Sequence, residues 1–307
     1  MLIFWLFVFV ASLIVLVKSA DYLVDSAKEI GVYFSLPGFV VGVLIVGIGT
    51  SAPELASAIA AVLQSAPELV ISNAIGSNIA NILLIVGLSA ILAKNIKVKK
   101  ELLDLDIPLL LLATVLFLAV TFDGSVSQTD SIFLLAGLLY YITYSISSKN
   151  AGFESGHNVN IKKESLIFAL SLLTLIFSAK FLISSTLILG ELLKVPATAL
   201  TLFAVALGTS LPELFVSVAA VKKGQADMAL GNIFGSNVFN LLAVVGIPAM
   251  FKTLTTDNLT FNYALPALLL STTIFAFSGL SRKIHSFEGV FYLILYVYFV
   301  AKIFAFV

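Results

Sequence analysis

The chain has 307 residues, 60% of them hydrophobic and 11% charged, with a formal net charge of zero and no cysteine. Mean hydropathy is +1.11; soluble domains carry roughly 25% charged residues, so composition predicts an integral membrane protein. It argues against a nucleic-acid partner, which needs a basic face, and excludes disulfides, thiolate metal sites and cysteine nucleophiles.

A membrane helix needs about 20 apolar residues, and ten stretches fit that rule. The first, 2–24, opens Met-Leu-Ile-Phe-Trp without a basic segment or cleavage site, so it reads as a membrane helix and not as a signal peptide. Its polar residues Lys18, Asp21 and neighbouring Asp25 belong against protein or at the interface, as do Lys180, Ser184 and Ser185 of the sixth. The second, 35–63, contains Gly49-Thr50-Ser51-Ala52-Pro53-Glu54-Leu55. Pro53 has no N–H, so the Gly49 carbonyl loses its helical donor. In lipid such a group costs several kcal/mol unless satisfied, and a hard cation satisfies it. The third, 69–92, places Asn73, Ser77 and Asn81 on one stripe, with Ser72 and Gly76 spaced for close helix packing. Spans 105–121 and 131–148 precede a polar segment, 149–164, too short for a folded domain. Spans 165–190, 196–221, 227–251, 260–280 and 287–306 complete the chain.

The seventh and eighth spans repeat the second and third. Gly208-Thr209-Ser210-Leu211-Pro212-Glu213-Leu214 returns at an ungapped shift of 159, and the stripe returns as Asn232, Ser236 and Asn240. Gly231 and Gly235 repeat the small-residue spacing. An internal duplication of a proline-broken, acid-bearing membrane helix points to a secondary transporter's ion site. Lys28, Lys94, Lys97, Lys99, Lys100, Lys149, Lys162, Lys163, Lys222, Lys223, Arg282 and Lys283 fall on alternate loops, against little more than Lys194, Lys252 and Lys302 on the others. This bias puts both termini outside the cytoplasm. With five spans per half, 1–150 and 151–307, the second half enters from the opposite side, predicting an all-α membrane protein of ten helices in two inverted five-helix repeats.

The hydroxyls of Thr50, Ser51, Thr209 and Ser210 and the carboxylates of Glu54 and Glu213 form an all-oxygen set, which the amides and hydroxyls of the two stripes extend. His157 and His285 fall in loops. Such chemistry selects Na⁺, Ca²⁺ or Mg²⁺ over zinc or copper. Ser51-x-x-Glu54 and Ser210-x-x-Glu213 also match helix capping boxes, but an ionisable residue well inside a span is by default functional. Ser65-x-x-Glu68, in a short loop, reads as plain capping. Asn73 and Asn232 suit interhelical hydrogen bonding as readily as ligation.

The doubled Gly-Thr-Ser-x-Pro-Glu-Leu motif, each followed by Asn-x-x-Gly-Ser-Asn-x-x-Asn, resembles the two α-repeats of the calcium/cation antiporter superfamily, especially its sodium/calcium exchanger branch. The resemblance implies four clustered cation sites lined by helices 2, 3, 7 and 8. Its matching positions are Thr50, Ser51, Glu54, Ser77, Asn81, Thr209, Ser210, Glu213, Ser236 and Asn240, with backbone carbonyls at Gly47 and Ala206. It further implies Ca²⁺ between the two glutamates, and helices 1 and 6 sliding across the core. Members of that branch usually carry aspartate where Asn240 stands, so here two carboxylates face two amides.

The expected function is Ca²⁺/Na⁺ antiport by alternating access, with no cofactor and no enzymatic activity. The expected partners are the transported cations and the bilayer, with no obligatory protein partner. Proton-coupled exchange is the alternative, because a buried glutamate can accept a proton in place of Na⁺. A channel would line a filter with the broken helices. An intramembrane hydrolase lacks a histidine, an aspartate pair or an HExxH motif in any span.

Overall fold

The computed structural model describes residues 1–97, 106–147, 159–194 and 208–305, which are helical apart from turns and two short β ribbons. In chain order the helices are α1 (Leu2–Tyr33), α2 (Gly38–Leu63), α3 (Glu68–Ala93), α4 (Ile107–Val120), α5 (Gln128–Ser147), α6 (Ile161–Leu192), α7 (Leu211–Lys222), α8 (Ala226–Ala249), α9 (Thr260–Leu280) and α10 (Ser286–Ala305). Eight are long and apolar enough to cross a membrane. The other two, α4 with 14 residues and α7 with 12, are shorter among the described residues. The expected seventh span is only partly seen, since 196–207 lies outside the described residues.

Helices α1 and α6 run 32 residues each, about 48 Å, and α1 continues to Tyr33, well past the apolar stretch that announced it. Backbone hydrogen bonds continue a helix wherever its residues tolerate it, so hydropathy sets the membrane portion and not the helix end. The two pack along each other, with Ser19 Oγ donating to Thr174 Oγ1 at 2.9 Å. Their buried faces, including Leu16, Leu23, Leu175 and Leu182, join Leu211, Val216 and Met228 in a hydrophobic cluster separate from the main core. Charge adds one link: Lys223 Nζ, after α7, donates to the Asp21 carbonyl at 2.6 Å and pairs with Asp25 Oδ1 at 2.7 Å. Lys18 and Lys180 stand exposed and not against protein, which leaves the interface, the other place expected for them; long lysine stems carry their charge outward.

The main core gathers around α8, which is buried along almost its whole length. Helix α2 crosses it at backbone contact. A Cβ on Gly42 would run into the Met228 carbonyl, and one on Gly231 into the carbonyl of Phe39. Gly235 packs equally hard on Val43. The spacing of Gly231 and Gly235 therefore serves close packing, as expected. The first-half pair borders a cavity, and no described residue lies within 4 Å of a Cβ on Gly76.

The ribbons tie connections together at opposite ends of α4 and α9. Strand β1 (Asn95–Lys97) pairs antiparallel with β4 (Lys283–His285), and β2 (Ser125–Val126) with β3 (Leu254–Thr255). The register Ile96↔Ile284 and Asn95↔His285 becomes Ser125↔Thr255 and Val126↔Leu254 when both partners move by 159 positions. The duplicated contact pattern thus extends beyond the duplicated motifs. His285 lies in β4, its Nδ1 3.2 Å from Glu288 Oε2, and His157 is outside the described residues.

Candidate ion site

Each duplicated motif folds into the same break. Ser51 sits at φ −87°, ψ 3° and Ser210 at φ −91°, ψ 5°, each followed by a helix with proline in its first turn. Proline suits that position because a first-turn N–H has no helical acceptor. The break interrupts α2 between Ile48–Thr50 and Ala52–Leu63. The Gly49 carbonyl is not left free, contrary to expectation: the tight turn at Ser51 brings a backbone N–H onto it. Wide π-type turns lie next to the site in α2 (Val41–Gly47), α3 (Ala80–Val86) and α8 (Asn240–Val244). Such insertions are frequent at functional positions.

The capping boxes do not form their bonds. Ser51 and Ser210 are the N-cap residues, yet neither side chain caps its helix. Ser51 Oγ instead donates to Glu213 Oε1 at 3.2 Å, across the two halves. Ser65 does not cap either: Pro67 occupies the N-cap of α3, and Ser65 takes a positive φ of 62°. There the turn residue and the proline displace the expected cap.

Glu54 and Glu213 are both buried, at 0% and 1% exposure. Glu54 Oε1 and Oε2 and Glu213 Oε2 have no hydrogen-bond partner among the described residues. The amides of Asn81 and Asn240 are buried and likewise without partners on either atom. Buried polar groups in native proteins are otherwise almost always bonded, so this concentration of unpaired oxygens marks a place built for something else. Among the described residues no three His, Cys, Asp or Glu side chains converge. The carboxylates are two, and hydroxyls, amides and carbonyls complete the surroundings.

The hydroxyls are brought together in related pairs. Thr50 Oγ1 lies 3.4 Å from Ser236 Oγ, and Ser77 Oγ lies 3.0 Å from Thr209 Oγ1. The shift of 159 that carries Thr50 to Thr209 and Ser77 to Ser236 exchanges these two contacts. The Gly47 carbonyl, an expected ligand, accepts the Ser51 N–H at 3.1 Å and the Ser236 hydroxyl at 3.2 Å. Hydroxyl protons can rotate away when a cation takes their acceptor. Ser210 is buried and borders the same cavity as Thr209. Ala206, the matching carbonyl, falls outside the described residues.

Asn232 has a different occupation. Its Oδ1 accepts from Thr50 at 3.1 Å, and its Nδ2 donates to Ser217 Oγ at 2.9 Å and to the Glu213 carbonyl at 3.3 Å. It splints α2, α7 and α8, and Asn73 lines the cavity. Ser217 was invisible to motif reading because its first-half counterpart is Ala58. Asn78 could have been found: its Nδ2 donates to the carbonyl of Asn237, its own counterpart at the shift of 159, at 2.9 Å. That bond joins α3 to α8 behind the ligand stripes.

A cavity of about 450 Å³ reaches the site from one end of the bundle. Its lining includes Asp257 and the buried Thr260 as well as Ser77, Thr209 and Ser210.

A family model described as sodium/calcium exchanger protein matches residues 4–147 and 163–305. The inner membrane protein YrbG of Escherichia coli strain K12 is 33% identical, over 87% of this chain and 86% of that protein. The sodium/calcium exchanger MaX1 of Methanosarcina acetivorans is 31% identical, over 95% of this chain and 96% of its own. A solved structure of the sodium-calcium exchanger NCX_Mj, soaked with Na⁺ and Sr²⁺, superposes with a TM-score of 0.86 at 30% identity, covering 98% of this chain and 99% of that one.

Proposed function

This chain belongs to the sodium/calcium exchanger protein family, and we propose that it is a secondary antiporter exchanging Ca²⁺ for Na⁺ by alternating access. The observation that carries the reading is the pair of buried glutamates with three carboxylate oxygens, beside two amides, that have no partner among the described residues. Two carboxylates neutralise one Ca²⁺ or two Na⁺, so the same groups serve both loads in turn. The ligand set is Glu54, Glu213, Thr50, Ser51, Thr209, Ser210, Ser77, Asn81, Ser236 and Asn240, with the carbonyls of Gly47 and Ala206. The ends of half-helices at the two breaks add their dipoles to the site.

In this reading α4 and the stretch 196–221 also cross the membrane, giving ten spans in two inverted repeats, 1–150 and 151–307. The exchange of the hydroxyl contacts and of the ribbon registers by one sequence shift supports that plan. Both termini lie outside the cytoplasm, so the cavity beside Asp257 faces outward. The long mutual packing of α1 and α6, with a hydrophobic cluster against α2, α7 and α8 apart from the main core, suits a pair that moves as a unit over those helices. The protein is a carrier and not an enzyme, and its partners are the ions and the bilayer.

The test is radioactive calcium uptake by proteoliposomes under imposed Na⁺ and H⁺ gradients, applied separately. An outward Na⁺ gradient should drive uptake and an H⁺ gradient alone should not. Uptake driven by H⁺ alone, or indifferent to ions on the far side, would overturn the assignment.

A further inference from the structure

We propose that the groove between α9 and α10 binds an anionic glycerophospholipid, with an acyl chain between the helices and its phosphate against Lys302. The groove measures about 340 Å³ and is apolar except at one end and at Ser271, whose hydroxyl is taken up by the Leu268 carbonyl. Its α9 wall runs from Tyr263 to Ile274, and its α10 wall from Leu295 to Ile303, with Leu83 of α3 on its lining. Eleven positions from Tyr263 to Ile274 rise about 16 Å, roughly half the ~30 Å hydrocarbon thickness of a bilayer. The groove therefore has the length of one leaflet, which an acyl chain matches and a peptide helix does not.

Its polar end has the chemistry of a headgroup. Lys302 is the one charged residue lining the groove. Among the described residues no carboxylate pairs with it, and its ammonium lies 5.9 Å from the Tyr298 ring centroid. Tyr263 and Tyr298 flank the same end, where aromatic residues mark the membrane–water boundary. A phosphate would complete a charge that no described carboxylate matches, which a zwitterionic or neutral lipid does less well. The groove also shares Phe299 and Ile303 with the ion cavity. A bound lipid would thus support the wall of the entrance and set a negative headgroup beside it.

The proposal stands apart from ion exchange and is tested by binding. The full chain is reconstituted with equimolar phosphatidylglycerol and phosphatidylcholine of identical acyl chains, and co-purifying lipid is measured by native mass spectrometry. Wild type should retain phosphatidylglycerol over phosphatidylcholine by about fivefold, the scale of one lysine beside an anionic lipid. Lys302→Gln should bring the ratio to parity, Lys302→Arg should preserve it, and Leu270→Trp, which fills the groove, should reduce both lipids. Equal retention of the two lipids by wild type, no retained lipid, or an unchanged preference in Lys302→Gln would each overturn it.

Discussion

Glu213→Gln separates charge from shape at the centre of the site. The substitution keeps the side-chain volume and an oxygen that can still accept from Ser51, now 3.2 Å away. It removes one of two buried negative charges. A unit charge pair about 4 Å apart in an effective dielectric of about 20 is worth about 4 kcal/mol. The lost attraction is therefore about 8 kcal/mol for Ca²⁺ and about 4 kcal/mol for each single Na⁺ at that distance. The dehydration of each ion is the same in wild type and variant, so it cancels. The remaining difference, about 4 kcal/mol, is roughly a thousandfold in relative affinity. Both carboxylates are buried, so little water is present to screen the effect. Sodium-driven calcium flux should be lost, sodium–sodium equilibrium exchange should fall far less, and Glu54→Gln should behave alike. Equal loss of Ca²⁺ and Na⁺ affinity, or near-normal Ca²⁺ flux, would refute the shared two-carboxylate site.

Gly231→Ala should be severe, because its methyl group would meet the Phe39 backbone, which cannot rotate aside as a side chain would. Separating α2 from α8 also pulls Ser236 from the Gly47 carbonyl, so both the unfolding midpoint and transport should drop; an unchanged midpoint would contradict the backbone contact. Asn240→Asp should be tolerated while changing the Na⁺:Ca²⁺ ratio, since a third carboxyl group in the site calls for a further monovalent ion when ionised. A reversal potential identical to wild type would show that Asn240 does not set the stoichiometry. Single cysteines at Ser125 and Lys163 of this cysteine-free chain should react with an impermeant reagent from opposite faces, and labelling from one face would undo the inverted topology.

The elements closest to the chemistry were the most legible in the sequence. Proline, glycine and acid at a fixed spacing inside apolar spans announced both breaks, and repetition at 159 residues paired them. What the motif left open was which oxygens are already spent. Ser51 reads as a cap from spacing alone, and only a partner 162 positions away turns it to Glu213. Asn232 and Asn240 are the same residue type on one stripe, yet one is bonded on both its atoms and the other on neither. The ribbons were illegible for a different reason. Two or three residues are too few to show strand periodicity, and β1 meets a partner nearly two hundred positions away. Hydropathy reports the lipid boundary and not the helix end, which is why α1 continues to Tyr33 beyond its expected span.

The bond between Lys223 and Asp25 gives the two ends of this duplicated molecule different mechanical character. Moved back by the shift of 159, Lys223 becomes Gln64, and Asp21 and Asp25 move forward to Lys180 and Ser184. No carboxylate stands among those three, so the counterpart contact cannot be an ion pair. If α1 and α6 move against the core as proposed, they release a charge pair at one end, while the three counterpart residues at the other offer no ion pair. Asp25 is 63% exposed, which holds the pair to a few tenths to about 1 kcal/mol, screened by salt. That is enough for a resting bias of about two- to fivefold toward the latched form. A transporter assembled from twin halves would then work as a partial ratchet, with opening and closing rates that respond unequally to ionic strength. Lys223→Gln should even them out, observable as equal salt dependence of calcium flux in the two directions.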